Sequence, residues 1–254
     1  MIEYIENKVL KHSNSRKLEY IGKCLLISEK GKKILVIGDL HLGYEEVLNQ
    51  SGVFVSRTMF EEMIKYLDSV FAKTGKVEHV VLLGDVKHDF GGILRQEWND
   101  VLRLFDYLED KCKEIIICKG NHDTILEPIV RKRENVKMMN YLIFGEYCFL
   151  HGNKDFPGIW NKKIRYWIMG HGHPAVKISD KTKVEKYKCF LAGRFKGRGI
   201  IIVPSFFEYT EGSDPRESNL GMAWDFDYGK FRVWVVGVEG DLEVLDFGKL
   251  RDLK

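Results

Sequence analysis

The sequence predicts an α/β protein built as two facing sheets with helices outside, and three observations lead there. Up to about residue 128, apolar β-type runs alternate with segments of helical period, which implies βαβ units with parallel strands. From residue 136 onward the runs are short, closely spaced and broken by turns, with little helix. Five of the runs end abruptly in Gly, Asp, Asn and His. They are ILVI into Gly38-Asp39-Leu40-His41, VVLL into Gly84-Asp85-Val86-Lys87-His88, and IIICK into Gly120-Asn121-His122-Asp123. YCFL into His151-Gly152 and YWIM into Gly170-His171-Gly172-His173 complete the series.

Taken in order, residues 18–37 read as two strands around the turn Glu29-Lys30-Gly31. Residues 56–72 read as a helix with Ser56 as N-cap, because Met59, Met63, Tyr66, Leu67, Val70 and Phe71 recur at helical spacing. A second helix is expected over 94–109, through Leu94, Trp98, Val101, Leu102, Phe105 and Leu108, with strands at 78–83 and 114–118 on either side. Short strands follow at 136–144, 146–150, 165–169, 184–191, 199–203, 221–226, 231–238 and 242–247. Tyr228-Gly229-Lys230 and Glu239-Gly240-Asp241 are hairpin-turn signals. With no Pro/Gly/Ser-rich linker, repeat or low-complexity tract, one domain over 1–254 is the simplest count. Its core motifs span 34–206, and 221–254 supplies C-terminal strands that complete a sheet.

A chain of 254 residues, 44% hydrophobic and 30% charged, can bury a full core and is not disordered. No apolar run approaches the ~20 residues a membrane helix needs, and the N-terminus has no apolar signal region, so a cytoplasmic protein is expected. The five cysteines form no CxxC pair, which leaves neither a zinc knuckle nor a disulfide framework. Net charge is +3 but uneven: residues 160–198 hold eleven Lys or Arg against Asp180 and Glu185. That stretch reads either as solvated loop and hairpin lysines or as an electropositive wall that draws in an anionic substrate.

The strand-end clusters carry the chemistry. Asp39 and His41 are two apart, so on a strand continuing outward both could bind one ion. Asp85 could bridge two cations, Asn121 offers a neutral oxygen, and His151, His171 and His173 offer imidazoles. A mixed nitrogen and oxygen set suits manganese, iron or zinc better than magnesium or calcium. Taken singly, the DxH, the GNHD turn and the GHGH hairpin each have ordinary explanations. Six of the eight histidines, however, fall inside the five clusters.

The ordered series DxH, GDxxH, GNHD, H and GHxH resembles the calcineurin-like metallophosphoesterase superfamily, and within it the small archaeal and bacterial phosphoesterases related to the SbcD-type DNA repair nuclease. The resemblance covers roughly residues 34–206. It implies a four-layer αββα sandwich of two mixed sheets with outer helices and a two-metal centre at the carboxyl ends of the strands. Carried over by motif, one metal falls to Asp39, His41, Asp85 and His173. The other falls to Asp85, Asn121, His151 and His171, with Asp85 bridging. His122 and His88 match histidines kept near the phosphate, and the GDxxH form resembles the nuclease branch.

The cofactors implied are two divalent ions, manganese first, with iron, zinc and nickel as alternatives. Two such ions about 3.5–4 Å apart can share a hydroxide that attacks phosphorus in line. His122 would stabilise the equatorial oxygens, and Asp123 would either orient the His122 ring or make a local turn contact. His88, if protonated, would donate to the leaving group, unless it is a surface histidine beside Lys87. The function expected is phosphodiester hydrolysis, with DNA or RNA as substrate and no membrane partner. Alternatives are a hydrolase of a small phosphate ester or cyclic nucleotide or dinucleotide, and an inactive scaffold. The chain looks too short for the capping domain and the ATPase-binding segment of the long SbcD-type nucleases. Phe54, Trp98, Phe156, Trp160, Phe206 and Phe207 are candidate base-stacking surfaces, each otherwise a core residue. The Pro204–Ser218 segment is a candidate loop near the metal cleft.

Overall fold

The computed structural model describes residues 10–12, 16–179, 183–237 and 242–253. The expected turn at Glu239-Gly240-Asp241 lies outside them, as do Asp180 and Lys181. The first sheet begins as an antiparallel meander of β1 (Leu10–His12), β2 (Arg16–Ile21), β3 (Cys24–Glu29) and β4 (Lys32–Ile37). It continues with β5 (Val77–Leu82), β6 (Cys112–Cys118) and β7 (Val136–Met139), each parallel to the strand before it. Parallel neighbours need crossovers. These are α1 (Tyr44–Gln50) with α2 (Met59–Thr74), then α3 (Arg95–Glu109), then α4 (Glu127–Val130).

The second sheet contains β8 (Tyr141–Phe144), β9 (Tyr147–Leu150), β10 (Tyr166–Met169), β12 (Val184–Phe195), β13 (Arg198–Ile202), β14 (Arg232–Val236) and β15 (Val244–Lys249). Its order is β15-β14-β12-β13-β10-β9-β8, and β11 (Ala175–Ser179) pairs with β12 off that path. Both sheets are mixed: β9, β10 and β13 run parallel, and the other pairs are antiparallel.

Period-2 alternation decides the layering, because both faces of the central strands are apolar. Leu25, Ile27, Ile34, Val36, Val81 and Ile116 meet Phe149, Ile168, Phe190, Ile201 and Trp234 between the sheets. Their sequence neighbours Leu26, Leu35, Ile37, Val80, Leu82 and Ile117 face outward under Met63, Leu67, Val70, Leu104 and Phe105 of the helices. Over the second sheet the outer layer consists of 3₁₀ turns at Pro157–Trp160, Tyr228–Lys230 and Leu250–Asp252 and irregular chain. Ile159, Leu220, Phe226 and Leu250 pack from it onto Trp167, Cys189, Leu191 and Val233.

The two mixed sheets are as expected, with the outer helices on the first sheet and, among the described residues, 3₁₀ turns and irregular chain in place of a helical layer on the second; several elements also differ in detail. Residues 18–37 contain three strands, because the chain reverses at Gly22 with φ 52°, where most residues would be strained. The 136–144 run breaks into β7 and β8. The strand expected at 221–226 is irregular chain, which spends its apolar side chains, Phe226 among them, on the outer face of the second sheet. The helix expected from 56 begins at Met59, and Ser56 does not cap it. Buried Glu45 does so from α1, its Oε1 accepting the Thr58 and Met59 N–H groups at 2.7 and 2.9 Å. All five cysteines are buried free thiols.

Candidate metal centre

The parallel pairings align the strand ends. β4, β5 and β6 finish together at Ile37, Leu82 and Cys118, and β9 and β10 finish together at Leu150 and Met169. The residues that follow each strand therefore converge on one edge of the sandwich, between the sheets. Backbone bonds lock the loops there. The Asp85 carbonyl accepts the N–H groups of Leu40 and His41, and the Asp39 carbonyl accepts those of Phe206 and Phe207. Asp39 and His41 do come together, but not through strand alternation. β4 has ended, and His41 turns its backbone into the left-handed region at φ 49°.

Three groups of ligand-type atoms gather within 4.8 Å among the described residues: Asp39 with His41 and His173, Asp85 with His151 and His171, and His41 with His88 and His122, of which only the first two contain a carboxylate. In the first, His173 Nε2 lies 3.3 Å from Asp39 Oδ1 and 3.4 Å from His41 Nε2. In the second, His151 Nε2 lies 3.2 Å from Asp85 Oδ2, 3.0 Å from Asn121 Oδ1 and 3.1 Å from His171 Nδ1. Asp85 Oδ2 also lies 4.0 Å from His41 Nε2, so one carboxylate oxygen faces both clusters. The other oxygen, Oδ1, accepts the His122 N–H at 2.9 Å. All seven residues expected as ligands are thus brought to one place.

The electrostatics call for a cation. Asp39 and Asp85 are 0% and 2% exposed, and among the described residues no lysine or arginine pairs with either. Burial alone would raise the Asp39 carboxyl, but His173, His151 and His41 hold it well below the usual carboxylate range. Asp85 is likewise held down against its burial, chiefly by His151. Burial pushes the other way on His151, yet the two carboxylates raise it to about 9. Burial takes His41 down to about 3 and also lowers His171, which His151 depresses further. Buried carboxylates need compensating charge. A divalent cation between the clusters would supply it.

The second cluster is also oriented from behind. His151 Nδ1 donates to the Leu83 carbonyl at 2.7 Å, and His171 Nε2 donates to the Gly221 carbonyl at 3.1 Å. Each bond fixes the ring and, in the neutral imidazole, turns an unprotonated nitrogen toward the cluster, as a metal-bound imidazole requires. The donor set and its buried negative charge fit divalent cations.

The backbone is strained where the ligands sit. Among the described residues six non-glycines have left-handed φ: Lys30 and Lys196 in hairpin turns, and His41, Asp85, His171 and His173. That conformation costs roughly 1–2 kcal/mol per residue, and it persists where the surroundings dictate it. Gly84, at φ 95°, leaves no space for a side chain: a Cβ would lie 2.6 Å from the Cys118 carbonyl and 2.7 Å from the Gly120 nitrogen.

His122 and His88 lie beside the clusters, both within reach of His41. The His122 Nδ1–H donates to the His88 carbonyl, and its Nε2 lies 3.9 Å from Asp85 Oδ2. Asp123 does not orient that ring. It is fully buried and takes the Val86 and Gly120 N–H groups at 2.9 Å each, which ties the second ligand loop to the third. Burial and then Asp85 raise its carboxyl. His88 Nδ1 lies 3.3 Å from His41 Nδ1. Burial and then the neighbouring His122 lower His88 to about 4, against the protonated form on which its role as leaving-group donor depends.

A profile of the calcineurin-like phosphoesterases matches residues 32–237, which include every residue of both clusters. The chain belongs to this family. Among solved structures, the nuclease MPE of Pseudomonas putida shares the fold, with a TM-score of 0.61 at 15% identity over 94% of this chain and 99% of that one. Yfce, a phosphoesterase from E. coli, is 12% identical over 85% of this chain and 98% of its own, with a TM-score of 0.41. A single mutant of Vps29 from Entamoeba histolytica is 15% identical over 85% and 99%, with a TM-score of 0.37. These two superpose too loosely to support more. A search of curated proteins finds no match. As a calcineurin-like phosphoesterase, the chain is a metal-dependent phosphoester hydrolase. No helix among its described residues is long and apolar enough to cross a membrane.

Around the centre of this calcineurin-like phosphoesterase stand residues that motif reading did not find. Glu97, fully buried, accepts the His88 and Asp89 N–H groups at 2.9 and 2.6 Å and so holds the loop that carries His88. An aromatic rim flanks the histidines. The Phe90 ring lies 3.6 Å from that of His122, and Tyr44 lies 4.7 Å from His88 and 4.9 Å from Phe207. Tyr209 stands 6.0 Å from both Tyr44 and Phe207. Phe90 is 58% exposed and Tyr209 45%. Of the expected stacking residues, Phe207 borders the site, whereas Phe206 packs into the core beneath the helices. The 204–218 loop does reach the cleft, through Phe206, Phe207 and the Ser213 N–H bonded to the His173 carbonyl.

Proposed function

We propose that the chain hydrolyses phosphodiester bonds of nucleic acid at a centre that holds two divalent cations. Asp39, His41 and His173 would hold one, Asn121, His151 and His171 the other, and Asp85 both. The observation that carries the reading is the single carboxylate oxygen of Asp85 facing two imidazole clusters, with exposed aromatic rings at their edge. Bound cations would supply Lewis acidity and a nucleophile at neutral pH. The chain's own groups do the rest. His122, oriented by its Nδ1–H bond to the His88 carbonyl, would donate from Nε2 to a phosphoryl oxygen when the ring carries both protons, and so stabilise charge that grows there. Neutral His88 would donate a hydrogen bond, rather than a proton, toward a departing oxygen. Phe90, Tyr44 and Tyr209 offer faces on which bases can stack, which favours a nucleotide-bearing diester over a small one. Manganese suits the mixed nitrogen and oxygen set.

An activity panel with manganese tests this reading. Bis-p-nitrophenyl phosphate is set against p-nitrophenyl phosphate, and single- and double-stranded DNA and RNA follow. We expect diester turnover without monoester turnover, and cleavage of at least one nucleic acid. Monoester turnover alone would overturn the diester assignment. Diester turnover with every nucleic acid intact would shift the substrate to a small phosphoester.

A further inference from the structure

The basic stretch of residues 160–198 does not surround the metal centre. Lys177 pairs with Glu217, Lys183 with Glu185 and Lys186 with Glu211, and the Lys188 ammonium is taken up by the carbonyls of Ser205 and Phe207. Lys162, Arg165, Arg194, Lys196 and Arg198 gather at the opposite end of the sandwich. β10 and β13 run parallel from Tyr166 and Arg198 toward the ligand loops, so their starts lie about 15 Å from those loops at about 3.3 Å per residue. A cavity of about 830 Å³ opens there at the mouth between the sheets.

Six cations line that cavity, Lys162, Arg165, Arg194, Lys196, Arg198 and Lys230, and among the described residues no acidic side chain does. Arg165 pairs with Glu146 at 3.2 Å and Lys230 with Asp227 at 2.8 Å. The other four have no carboxylate partner among the described residues. Arg198 is held for use: its guanidinium donates to the Trp160 carbonyl at 2.7 Å and lies 5.3 Å from the Trp160 ring, while its buried Nε has no hydrogen-bond partner. Lys196 stands 5.1 Å from the same ring. Tyr166 forms part of the cavity wall, stacked on Tyr147 at 5.4 Å. Four uncompensated cations in one concavity repel one another, and a polyanion relieves that repulsion.

We infer that this cavity is a second nucleic-acid site, which holds backbone phosphates of a strand whose cleaved bond lies at the metals. The inference rests on the nucleic-acid reading of the function. The occupant follows from the spread of charge. Cations on separate long side chains, with aromatic surface between them, match a run of phosphates and bases better than one compact anion. The site binds and positions, and contributes nothing to the chemical step.

Arg194→Glu/Lys196→Glu tests it, since both side chains lie at the hairpin turn, away from the core. Lys65→Glu/Lys73→Glu on α2 makes the same charge change on a remote surface. Affinity for a labelled single-stranded oligonucleotide is measured by anisotropy against salt, in an Asp85→Asn background that prevents turnover. Bis-p-nitrophenyl phosphate hydrolysis is measured without that background. We expect the hairpin variant to bind about tenfold more weakly at 0.1 M salt. Its salt slope should fall by about 1.4, the value for two fewer phosphates neutralised on a single strand. Small-diester turnover should match the unsubstituted protein, and the α2 variant should bind normally. Equal affinity and slope in the two charge variants would overturn the site. So would loss of ATP binding with oligonucleotide binding intact, which would assign the cavity to a free nucleotide. If neither protein cleaves nucleic acid while the hairpin variant alone loses binding, the function reading fails and the site stands.

Discussion

The two ligand clusters are built from the same residue types but held differently. His151 and His171 are pinned from behind by the Leu83 and Gly221 carbonyls. His41 and His173 make no bond to a carbonyl among the described residues: the outer nitrogen of His41 faces His88, and His173 Nε2 faces its own cluster. A cation entering the first cluster must organise its own imidazoles, whereas the second is arranged before it arrives. Outer bonds of this kind are worth about 10–100-fold in metal affinity. The second cluster should therefore hold a cation more tightly than the first. Asp85, common to both, should hide the difference when it is removed.

Asp85→Ala gives the largest effect. We expect both cations to be lost after gel filtration and turnover to fall by at least about 10³-fold, since a bound metal contributes several kcal/mol to the transition state. Metal content by mass spectrometry, measured beside kcat, decides it. Retention of one equivalent would mean that Asp85 serves a single cluster. His122→Ala comes next, with both cations retained and kcat lower by about 10²–10³-fold, as for loss of a preorganised donor. Loss of metal from that variant would move His122 into the ligand set.

Much of this centre is legible in the sequence because strand direction is legible. An apolar run that ends in Gly-Asp or Gly-His marks a carboxyl end, and parallel pairing brings such ends together; Asp39, Asp85, Asn121, His151 and His171 follow from that. The left-handed backbone at His41 and His173 has no local signal, since nothing in Leu40-His41 or Gly172-His173 encodes it. Tertiary contact imposes it. Glu45 and Glu97 escape motif reading for a related reason: an acid in a helical segment reads as solvent-facing, and their partners are backbone N–H groups outside their own helices. The basic stretch misleads because it is close to His171 in sequence and much of it is not close in space. The β12–β13 hairpin carries Arg194, Lys196 and Arg198 to the far edge.

A chelator titration sharpens the comparison directly. We expect stepwise loss of metal, the first equivalent leaving about 10–100-fold more readily than the second. That first step should be absent in His41→Ala. The pH dependence follows from the two imidazoles. His151, raised to about 9 in the metal-free protein, must release a proton to bind metal, so affinity at its position grows with pH up to about 9. His41, lowered to about 3, is already neutral and adds no such dependence at its position. The gap between the steps is thus widest near pH 9 and narrows below it. For stability the sign is the reverse. A folded-state pKa raised from 6.5 contributes stabilisation that is full below 6.5 and is lost as pH rises through about 9. The metal-free protein should therefore melt at lower temperature at pH 9 than at pH 6.5, and a fall that persists in His151→Gln would assign it to another group.

Phe90→Ala is expected to have the smallest effect and to leave both clusters alone. The Phe90 ring lies on His122 at 3.6 Å, but the bond from His122 Nδ1 to the His88 carbonyl remains when the ring is removed. Metal content and kcat on a small diester should then be unchanged. An exposed ring that stacks one base contributes at least about 1 kcal/mol, so KM for an oligonucleotide should rise roughly fivefold, and Phe90→Trp should restore it. A fall in small-diester kcat with KM for the oligonucleotide unmoved would give Phe90 a different role. The ring would then position His122, and the exposed face would have no part in recognising bases.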